Sequence, residues 1–243
     1  MTLAVVPRVE LKYCVPEGHA AAALRVAAGF LEPDVDGGAS QQIISVYLES
    51  PALTFLHWHL QRRPRRFKLR IRDYGADGAV VFAEVKHKSG DVTYKDRAAV
   101  PRTAVSALLA DTPCGGPDPP ALESFTERRR AFGAAPMVAI RVEREAYRGG
   151  PTRGLAVTVD RRLEVQPWSA SQLPGRGERG WQTLTLPEPA HDAVIEIKHD
   201  GAPPLWMTLL MTRLAPWRRS MSKYVAAMAH ARLDQGVVPC NSN

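Results

Sequence analysis

The sequence predicts an α+β protein whose main element is an antiparallel β-sheet, and three observations support this fold class. Many segments alternate apolar and polar side chains with a period of two residues and are bounded by Gly or Pro, as half-buried strands are. Turn-forming sequences join the strongest of these segments, DYGADG at 73–78 and KSGD at 88–91. The helix-like segments do not alternate with the strands as regular βαβ units, so we expect an antiparallel meander.

The elements follow from these periodicities and from the Gly and Pro residues that interrupt them. Helices are predicted at residues 17–31, 51–61, 102–109, 120–132, 204–213 and 220–233. Strands are predicted at residues 5–15, 42–48, 66–74, 79–88, 91–100, 137–147, 154–160, 163–166, 181–184 and 193–199. The breaker-rich segments near 34–39, 114–120, 149–154 and 173–180 are typical of surface loops and not of interdomain linkers. We therefore expect one domain over residues 1–235 and a short tail at 236–243.

Composition and charge limit the classes of function. The chain has 243 residues, a net charge of +7 and a pI near 9.6, which favours an anionic partner such as a nucleic acid, a phosphorylated metabolite or an anionic membrane surface. The longest apolar window, residues 205–214, is too short to cross a bilayer, and the N-terminus lacks a signal pattern, so we expect a cytoplasmic protein with no encoded membrane segment. Cys14, Cys114 and Cys240 are widely separated, which favours reduced thiols.

The polar faces of the predicted strands are strongly basic. Successive side chains of a strand point to opposite sides, so Arg66, Lys68, Arg70 and Arg72 share one face of their strand. The corresponding faces of the other strands carry Arg8, Glu10 and Lys12, then Glu84, Lys86 and Lys88, then Lys95 and Arg97, and finally Glu196 and Lys198. A sheet face open to solvent is the alternative, but such a face usually mixes signs, because like charges opposite each other are destabilising. Closure of the sheet with this face inward would form a wet tunnel whose cations need anions.

Short motifs lie along nearly the whole chain. They are, in order, RVELKY at 8–13, SVYLES at 45–50, LRIRDYG at 69–75, EVKHK at 84–88, KDR at 95–97, EREAY at 143–147, VTVD at 157–160, IEIK at 195–198 and SKY at 222–224. These motifs resemble those of VTC domains, the polyphosphate polymerase branch of the triphosphate tunnel metalloenzymes, a CYTH-like superfamily. Each motif is short, but their order and spacing together are specific.

This resemblance implies a closed antiparallel tunnel of eight strands, with helices packed outside and a C-terminal helix near one tunnel mouth. It implies that inward lysines and arginines bind phosphates and that glutamate holds a divalent cation. In the polymerase members, the terminal phosphate of ATP is transferred to a growing polyphosphate chain. ATP or another nucleoside triphosphate and inorganic polyphosphate are therefore the expected ligands.

The sequence also departs from the family pattern. Ala156 stands where many members place an arginine before the Val-Thr pair, and Arg153 is the nearest basic residue upstream. Glu49 stands where an aspartate is common. Strict alternation puts Arg144 on the face of the apolar residues of its strand, so its inward placement requires a bulge or a local twist. The missing arginine weakens the expected phosphate contacts on one wall.

Phosphoryl transfer requires positioning and charge neutralisation, and the basic residues are assigned to these roles. Arginine forks bind phosphate oxygens in bidentate fashion, and lysines act as point charges. The residues predicted to act in catalysis are Arg70, Arg72, Lys86 and Lys198. The residues predicted to bind substrate are Arg8, Lys12, Lys88, Arg97, Arg144 and Lys223. For any one of them, a surface cation or an ion pair is the alternative.

Glu196 is the first candidate for a metal ligand, since hard divalent cations prefer carboxylate oxygens and bridge to substrate phosphates. Magnesium or manganese fits this chemistry. Glu84 and Glu10 are second candidates, with the alternative that they pair with neighbouring lysines. The seven histidines are scattered, so we expect them to be structural or exposed.

We therefore expect a metal-dependent phosphotransferase of the polyphosphate polymerase type. The alternatives are a binding module for polyphosphate or triphosphate without turnover, which Ala156 makes plausible, and a short-chain triphosphatase of the same superfamily. Nucleic-acid binding is disfavoured because the basic residues are expected to point inward. Eukaryotic relatives are attached to membrane segments in larger assemblies, so a membrane-protein partner stays open.

Overall fold

The computed structural model of the protein describes residues 8–34, 40–75, 79–90, 92–110, 119–149, 154–170, 172–175, 177, 179–186 and 192–234. The strands within these residues are β1 (Arg8–Val15), β2 (Glu32–Pro33), β3 (Gln41–Glu49), β4 (Arg65–Asp73), β5 (Val80–Ser89), β6 (Val92–Pro101), β7 (Ala135–Gly149), β8 (Leu155–Pro167), β9 (Gln182–Thr183) and β10 (Ala193–Asp200). The helices are α1 (Glu17–Ala28), α2 (Thr54–Leu60), α3 (Val105–Leu109), α4 (Pro120–Ala131), α5 (Leu205–Leu214) and α6 (Lys223–Asp234), with short 3-10 helices at Arg102–Ala104 and Ala215–Trp217.

The strands form one sheet in the order β1-β10-β8-β7-β3-β4-β5-β6, with β2 paired to β7 and β9 paired to β8. The predicted antiparallel pairing is confirmed, and β4, β5 and β6 form the expected meander. The predicted closure is not observed, because among the described residues no hydrogen-bonded ladder joins β1 to β6. The main path does contain eight strands, the number that the family resemblance implies.

The described residues divide into two compact units. Unit 1 comprises those within Met1–Gln42, Val142–Leu163 and Thr185–Met221, and unit 2 those within Ile43–Arg141, Glu164–Leu184 and Ser222–Asn243. Strands β3, β7 and β8 run through both units. The predicted tail at 236–243 lies outside the described residues, and the expectation of a single domain stays a prediction.

The core of unit 1 lies between the apolar face of β1, β8 and β10 and the helices α1 and α5. Alternation places Tyr13 and Ile195 on this face, and both are fully buried. Helix α1 presents the small side chains of Ala20, Ala23 and Ala27 to the sheet, which allows a close approach of its backbone. Each large apolar side chain buried here contributes about 1.5–3 kcal/mol to folding.

The core of unit 2 packs the apolar face of β4, β5 and β6 against α2, α3 and α4. Its centre is aromatic. Phe55 lies 4.7 Å from Phe67 and 5.2 Å from Phe132, measured between ring centroids, in tilted or edge-on geometry that aromatic pairs prefer. Since these rings anchor one face of β4, the opposite face of that strand is fixed in orientation.

Some predicted elements differ from the observed ones. The strands predicted at 154–160 and 163–166 are one strand, β8, in which Arg162 has a φ of 44°. Helix α2 begins at Thr54 and not at residue 51, because Leu53 has a left-handed backbone. The short strand β2 was not predicted. Residues 5–7 of the first predicted strand, the turn at 76–78, Cys114 and Cys240 lie outside the described residues.

No helix in the described ranges is long and apolar enough to span a membrane. The expected cytoplasmic location stays a prediction.

Candidate functional site

The candidate site in unit 2 is the polar face of β4, β5 and β6, called here the β4–β6 face. Its residues are Arg66, Lys68, Arg70 and Arg72 on β4, Phe82, Glu84, Lys86 and Lys88 on β5, and Thr93, Lys95, Arg97 and Ala99 on β6. Lys68 stands opposite Lys86, and Lys86 stands opposite Lys95, so three lysines lie in register across three strands. Like charges placed opposite each other are destabilising, and an anion bound across them would relieve the repulsion.

Glu84 is the only carboxylate on the β4–β6 face, and its side chain is fully buried. Its Oε2 accepts hydrogen bonds of 2.6 Å from Nε and Nη2 of Arg70. Its Oε1 lies 3.1 Å from Nζ of Lys95 and 3.4 Å from Nε of Arg97. Burial alone would raise the pKa of Glu84, but Arg70, Arg72 and Lys95 lower it to about 2. The carboxylate is therefore ionised and is held by three cations.

Arg70 and Arg72 are placed side by side by the β4 alternation and are oriented by β3. Arg70 donates through Nη1 to the phenolic oxygen of Tyr47 at 3.3 Å, and Arg72 donates through Nε to Oγ of Ser45 at 3.2 Å. Burial opposes the charge of Arg70, yet Tyr47 and Glu84 raise its pKa above the usual range. Both predicted catalytic arginines are thus fixed and charged.

Aromatic rings orient the cations at one end of this face. The guanidinium carbon of Arg97 lies 3.5 Å from the ring centroid of Phe82 and 5.1 Å from that of Tyr74. Arg72 lies 5.7 Å from the Tyr74 centroid. These are cation–π distances, and a stacked guanidinium keeps its edge N–H groups available for phosphate oxygens.

Glu49 fastens α6 to β3 and α2. Its side chain is buried and accepts hydrogen bonds from the backbone amides of Ser50, Phe55 and Leu56 at 2.7–3.0 Å. It also accepts a hydrogen bond from the hydroxyl of Tyr224 in α6. Burial and the Glu49 charge raise the pKa of Tyr224 well above its usual range, so this phenol stays protonated. The glutamate therefore caps α2 and anchors α6 at once.

Lys223 is the first residue of α6, directly before the anchored Tyr224. Its charge is close enough to Tyr47 to lower the pKa of that phenol, after burial and the two arginines. Lys68 donates to Oγ of Ser222 at 2.7 Å. The start of α6 thus lies beside β3 and β4, and the role of Lys223 in substrate binding stays a prediction.

His59 and His87 lie near the β4–β6 face in sequence, and their contacts show how each is held. Burial and the charge of Lys68 lower the pKa of His59 to about 4, and its Nδ1 contacts the Phe55 carbonyl at 2.7 Å. His87 is on the opposite face of β5, where its Nε2 contacts Asp96 at 2.9 Å. Neither histidine is on the β4–β6 face, which agrees with the expectation that they are structural.

In unit 1, β1 and β10 carry a second polar face with balanced charges. Lys12 stands opposite Glu196, and Glu10 stands opposite Lys198. Nζ of Lys12 lies 3.2 Å from Glu10 and 3.6 Å from Glu196, and Nζ of Lys198 lies 2.9 Å from Glu196. The two carboxylates share one ammonium, so they lie near each other on one side of the sheet.

The remaining predicted residues of unit 1 are placed as follows. Arg144 makes a bidentate ion pair with the buried Asp160 at 2.6 and 2.7 Å, so it reaches the face that carries Glu196. Ala156 stands opposite Lys198, where its methyl group offers no phosphate contact. Arg8 pairs with Asp200 through the backbone. Arg153 lies outside the described residues.

A divalent cation such as Mg²⁺ needs several oxygen ligands, which carboxylates, water and phosphate can supply. In the described part of the chain, no group of three or more His, Cys, Asp or Glu residues is arranged to hold a metal. Glu10 and Glu196 both contact the Lys12 ammonium, so a cation could take a position between them. Such a pair fits Mg²⁺ or Mn²⁺ that completes its coordination with water and substrate phosphate. Glu84 fits less well, because its side chain is fully buried and three cations already contact its oxygens.

Sequence reasoning assigned no role to Tyr47, Glu49, Phe82 or Asp160. Ser45, Tyr47 and Glu49 alternate along β3 as a polar face, a signal that could have identified them. Phe82 is an aromatic residue on an otherwise charged face, which is a second such signal. Asp160 has no local signal, since its partner Arg144 lies on another strand.

These features define a class of protein, an α+β fold whose antiparallel sheet presents a cationic face. The particular family is shown by the VTC domain model, which matches residues 7–232, and the chain belongs to this family. The resemblance found in the motifs is confirmed.

One solved structure shares the fold, and two more match it with lower scores. A Bacillus halodurans protein proposed to be an adenylate cyclase is 11% identical, with a TM-score of 0.52, over 89% of this chain and 94% of that one. A Vibrio parahaemolyticus protein, also proposed to be an adenylate cyclase, is 14% identical over 91% and 98%, with a TM-score of 0.49. A Hippeastrum protein proposed to be an adenylyl cyclase, with a dominant triphosphatase activity, is 14% identical over 97% and 99%, with a TM-score of 0.49. No curated protein matches the sequence.

Proposed function

We propose that this chain is a metal-dependent phosphotransferase of the polyphosphate polymerase type, acting on ATP and inorganic polyphosphate. The observation that carries the proposal is the in-register row of Lys68, Lys86 and Lys95 beside the fixed forks of Arg70 and Arg72. A linear phosphoanhydride carries a charge on each phosphate, so it matches cations repeated along and across strands. Membership in the VTC domain family supports the same ligand class. The closed tunnel around such a chain stays a prediction.

The proposed chemistry requires little beyond charge and position. In phosphoryl transfer, negative charge spreads over the oxygens of the transferred group, and fixed cations stabilise that charge without reorganising. Arg70 and Arg72 are held by Tyr47, Glu84 and Ser45, so their geometry is set before the ligand arrives. Lys86 and Lys198 supply point charges on their respective faces.

A divalent cation, Mg²⁺ or Mn²⁺, would be held by Glu196 with Glu10. When bound, it would neutralise phosphate charge and act as a Lewis acid. Lys12 now lies between these carboxylates, and its release would leave its charge available to phosphate.

Two alternative functions use the same phosphate ligand but differ in whether and how a phosphate is transferred. A binding module without turnover is favoured by Ala156, since many family members have an arginine at this position. A short-chain triphosphatase differs only in its acceptor, which is water.

Incubation of the purified protein with ATP and Mn²⁺ separates the three. Polyphosphate is expected for a polymerase and free phosphate for a triphosphatase, and the absence of both with tight polyphosphate binding supports the module. Nucleic-acid binding is tested in the same samples by competition with single-stranded RNA, which we expect not to displace polyphosphate.

The double variant Arg70→Ala/Arg72→Ala should abolish polyphosphate binding, measured by calorimetry at constant salt. The matched control is Arg148→Ala/Arg162→Ala, since these arginines are 56% and 75% exposed and pair with Asp34 and Glu143. Binding by the first variant that equals the control would remove the basis of the proposal.

A further inference from the structure

Tyr47 lies beside the β4–β6 face, and the role already described uses only the acceptor capacity of its hydroxyl, which receives a hydrogen bond from Arg70. It lies on β3 directly opposite Arg70, with its side chain 6% exposed. Its ring packs against Tyr224, with 5.2 Å between centroids. Ser45 and Glu49 flank it on the same face of β3.

Without a ligand, the phenolic oxygen of Tyr47 accepts a hydrogen bond and donates none to the described residues. Nη1 of Arg70 donates to it at 3.3 Å, and within the described residues no acceptor receives the phenolic hydrogen. A tyrosine hydroxyl can accept and donate at once, so its donor capacity is unused. The neighbouring Tyr224 differs, because it donates to Glu49.

We infer that the hydroxyl of Tyr47 donates a hydrogen bond to a phosphate oxygen of the ligand held by Arg70 and Arg72. This inference rests on the proposed function and adds a neutral donor to a site otherwise made of cations. Arg70 contacts the phenolic oxygen, and the charge of Arg72 is close enough to lower the pKa of Tyr47, so a phosphate bound by both arginines would lie near the phenolic hydrogen. A hydrogen bond from a neutral donor to a charged acceptor is among the stronger kinds.

The surroundings of Tyr47 give the inference a pH signature. The charged and titratable groups around it are Arg70 and Arg72 on β4, Lys223 and Tyr224 on α6, Glu84 on β5 and Glu49 on β3. Burial raises the pKa of Tyr47, but Arg70, Arg72 and Lys223 together lower it below the ordinary value of 10.0. Above that pKa the phenolate cannot donate and repels an anion.

The test compares the wild type with Tyr47→Phe in binding inorganic tripolyphosphate, by calorimetry from about pH 7 to pH 10. At neutral pH the variant should bind about tenfold more weakly or worse, the usual cost of losing a hydrogen bond to a charged group. As the pH rises through the Tyr47 pKa, the wild type should lose this advantage. The ligand also titrates, and the pKa values of Lys95 and Tyr74 are both lowered, but these groups are common to both proteins and cancel in the ratio of Kd values.

Tyr94→Phe is the matched control, since Tyr94 is 50% exposed and stacks on His87 on the opposite face. It should leave the Kd and its pH profile unchanged. A ratio of Kd values near one at neutral pH, or a ratio that does not change with pH, would overturn the inference.

A second measurement needs no change at Tyr47. In a Tyr74→Phe background, the ultraviolet absorbance of phenolate is followed against pH with and without tripolyphosphate. A bound anion should move the first tyrosine ionisation to higher pH, and no movement would refute the contact. If Arg70→Ala/Arg72→Ala abolishes binding while Tyr47→Phe does not weaken it, only this inference fails. If the wild type does not bind tripolyphosphate, the proposed function fails as well.

Discussion

Glu84→Gln tests whether the buried carboxylate organises the cations of the β4–β6 face. The variant keeps the shape of the side chain and removes its charge. The pKa of Glu84 is lowered from 4.5 to about 2, and the difference corresponds to about 3 kcal/mol of stability near neutral pH. Because Arg70, Lys95 and Arg97 would lose their shared counter-charge, we expect the free energy of unfolding to fall by about this amount.

The pH dependence of this loss has a definite sign. A carboxyl group whose pKa is lowered in the folded protein stabilises it fully above its unfolded value, near 4.5, and loses that contribution as the pH falls towards about 2. The difference between wild type and Glu84→Gln should therefore be about 3 kcal/mol at pH 7 and about 1 kcal/mol at pH 3. Urea denaturation at the two pH values measures it.

Glu143→Gln is the control, since Glu143 pairs with the 75% exposed Arg162 and such pairs contribute about 0–1 kcal/mol. The reasoning is refuted if Glu84→Gln destabilises no more than this control, or if its effect does not shrink in acid. The same variants separate two roles of Glu84. A metal ligand would be required for metal-dependent turnover, whereas an organiser of cations would alter stability without changing the metal affinity.

Three further predictions concern neighbouring groups. Glu49→Gln should lower the free energy of unfolding, measured by urea denaturation, by about 1–3 kcal/mol, because the Glu49 oxygens accept hydrogen bonds from backbone amides. The control Glu127→Gln, at an exposed residue, should leave it unchanged. Phe82→Leu should weaken tripolyphosphate binding a few-fold in calorimetry by releasing the Arg97 guanidinium, and unchanged affinity would count against that contact. Glu196→Gln should retain metal-free tripolyphosphate binding and lose Mn²⁺-dependent phosphate release, so equal loss of both would contradict a metal role.

The extent to which the sequence predicted the fold depends on how local each signal is. The β4 face was predicted because a period of two residues places Arg66 to Arg72 together wherever the strand lies. The pairing of β1 with β10 was not predicted, since residues 8–15 and 193–200 are distant in the chain. The closed sheet was inferred from the family resemblance, and closure is a property that no local pattern carries.

The site shows the same limit. Arg70 and Glu84 lie in one hairpin, so their pairing follows from the turn between β4 and β5. Glu49 and Tyr224 are separated by 175 positions, and their hydrogen bond depends on how α6 packs. Sequence patterns therefore identified the basic residues and Glu84, and they gave no role to Tyr47 and Phe82, which contact Arg70 and Arg97.

The two polar faces differ in how their charged residues are arranged, and this arrangement bears on their roles. On β1 and β10, Lys12 stands opposite Glu196 and Glu10 opposite Lys198, so opposite charges are in register and the face is stable without a ligand. On β4, β5 and β6, Lys68, Lys86 and Lys95 stand in register with like charge.

A protein that needed only stability would mix signs there, as it does on β1 and β10. The repulsion is explained if an anion is bound for much of the protein's working time, because a ligand that binds only the folded state offsets it by mass action. Phosphate affinity is therefore expected to reside mainly in the β4–β6 face, and the carboxylates of β1 and β10 are the better candidates for a cation.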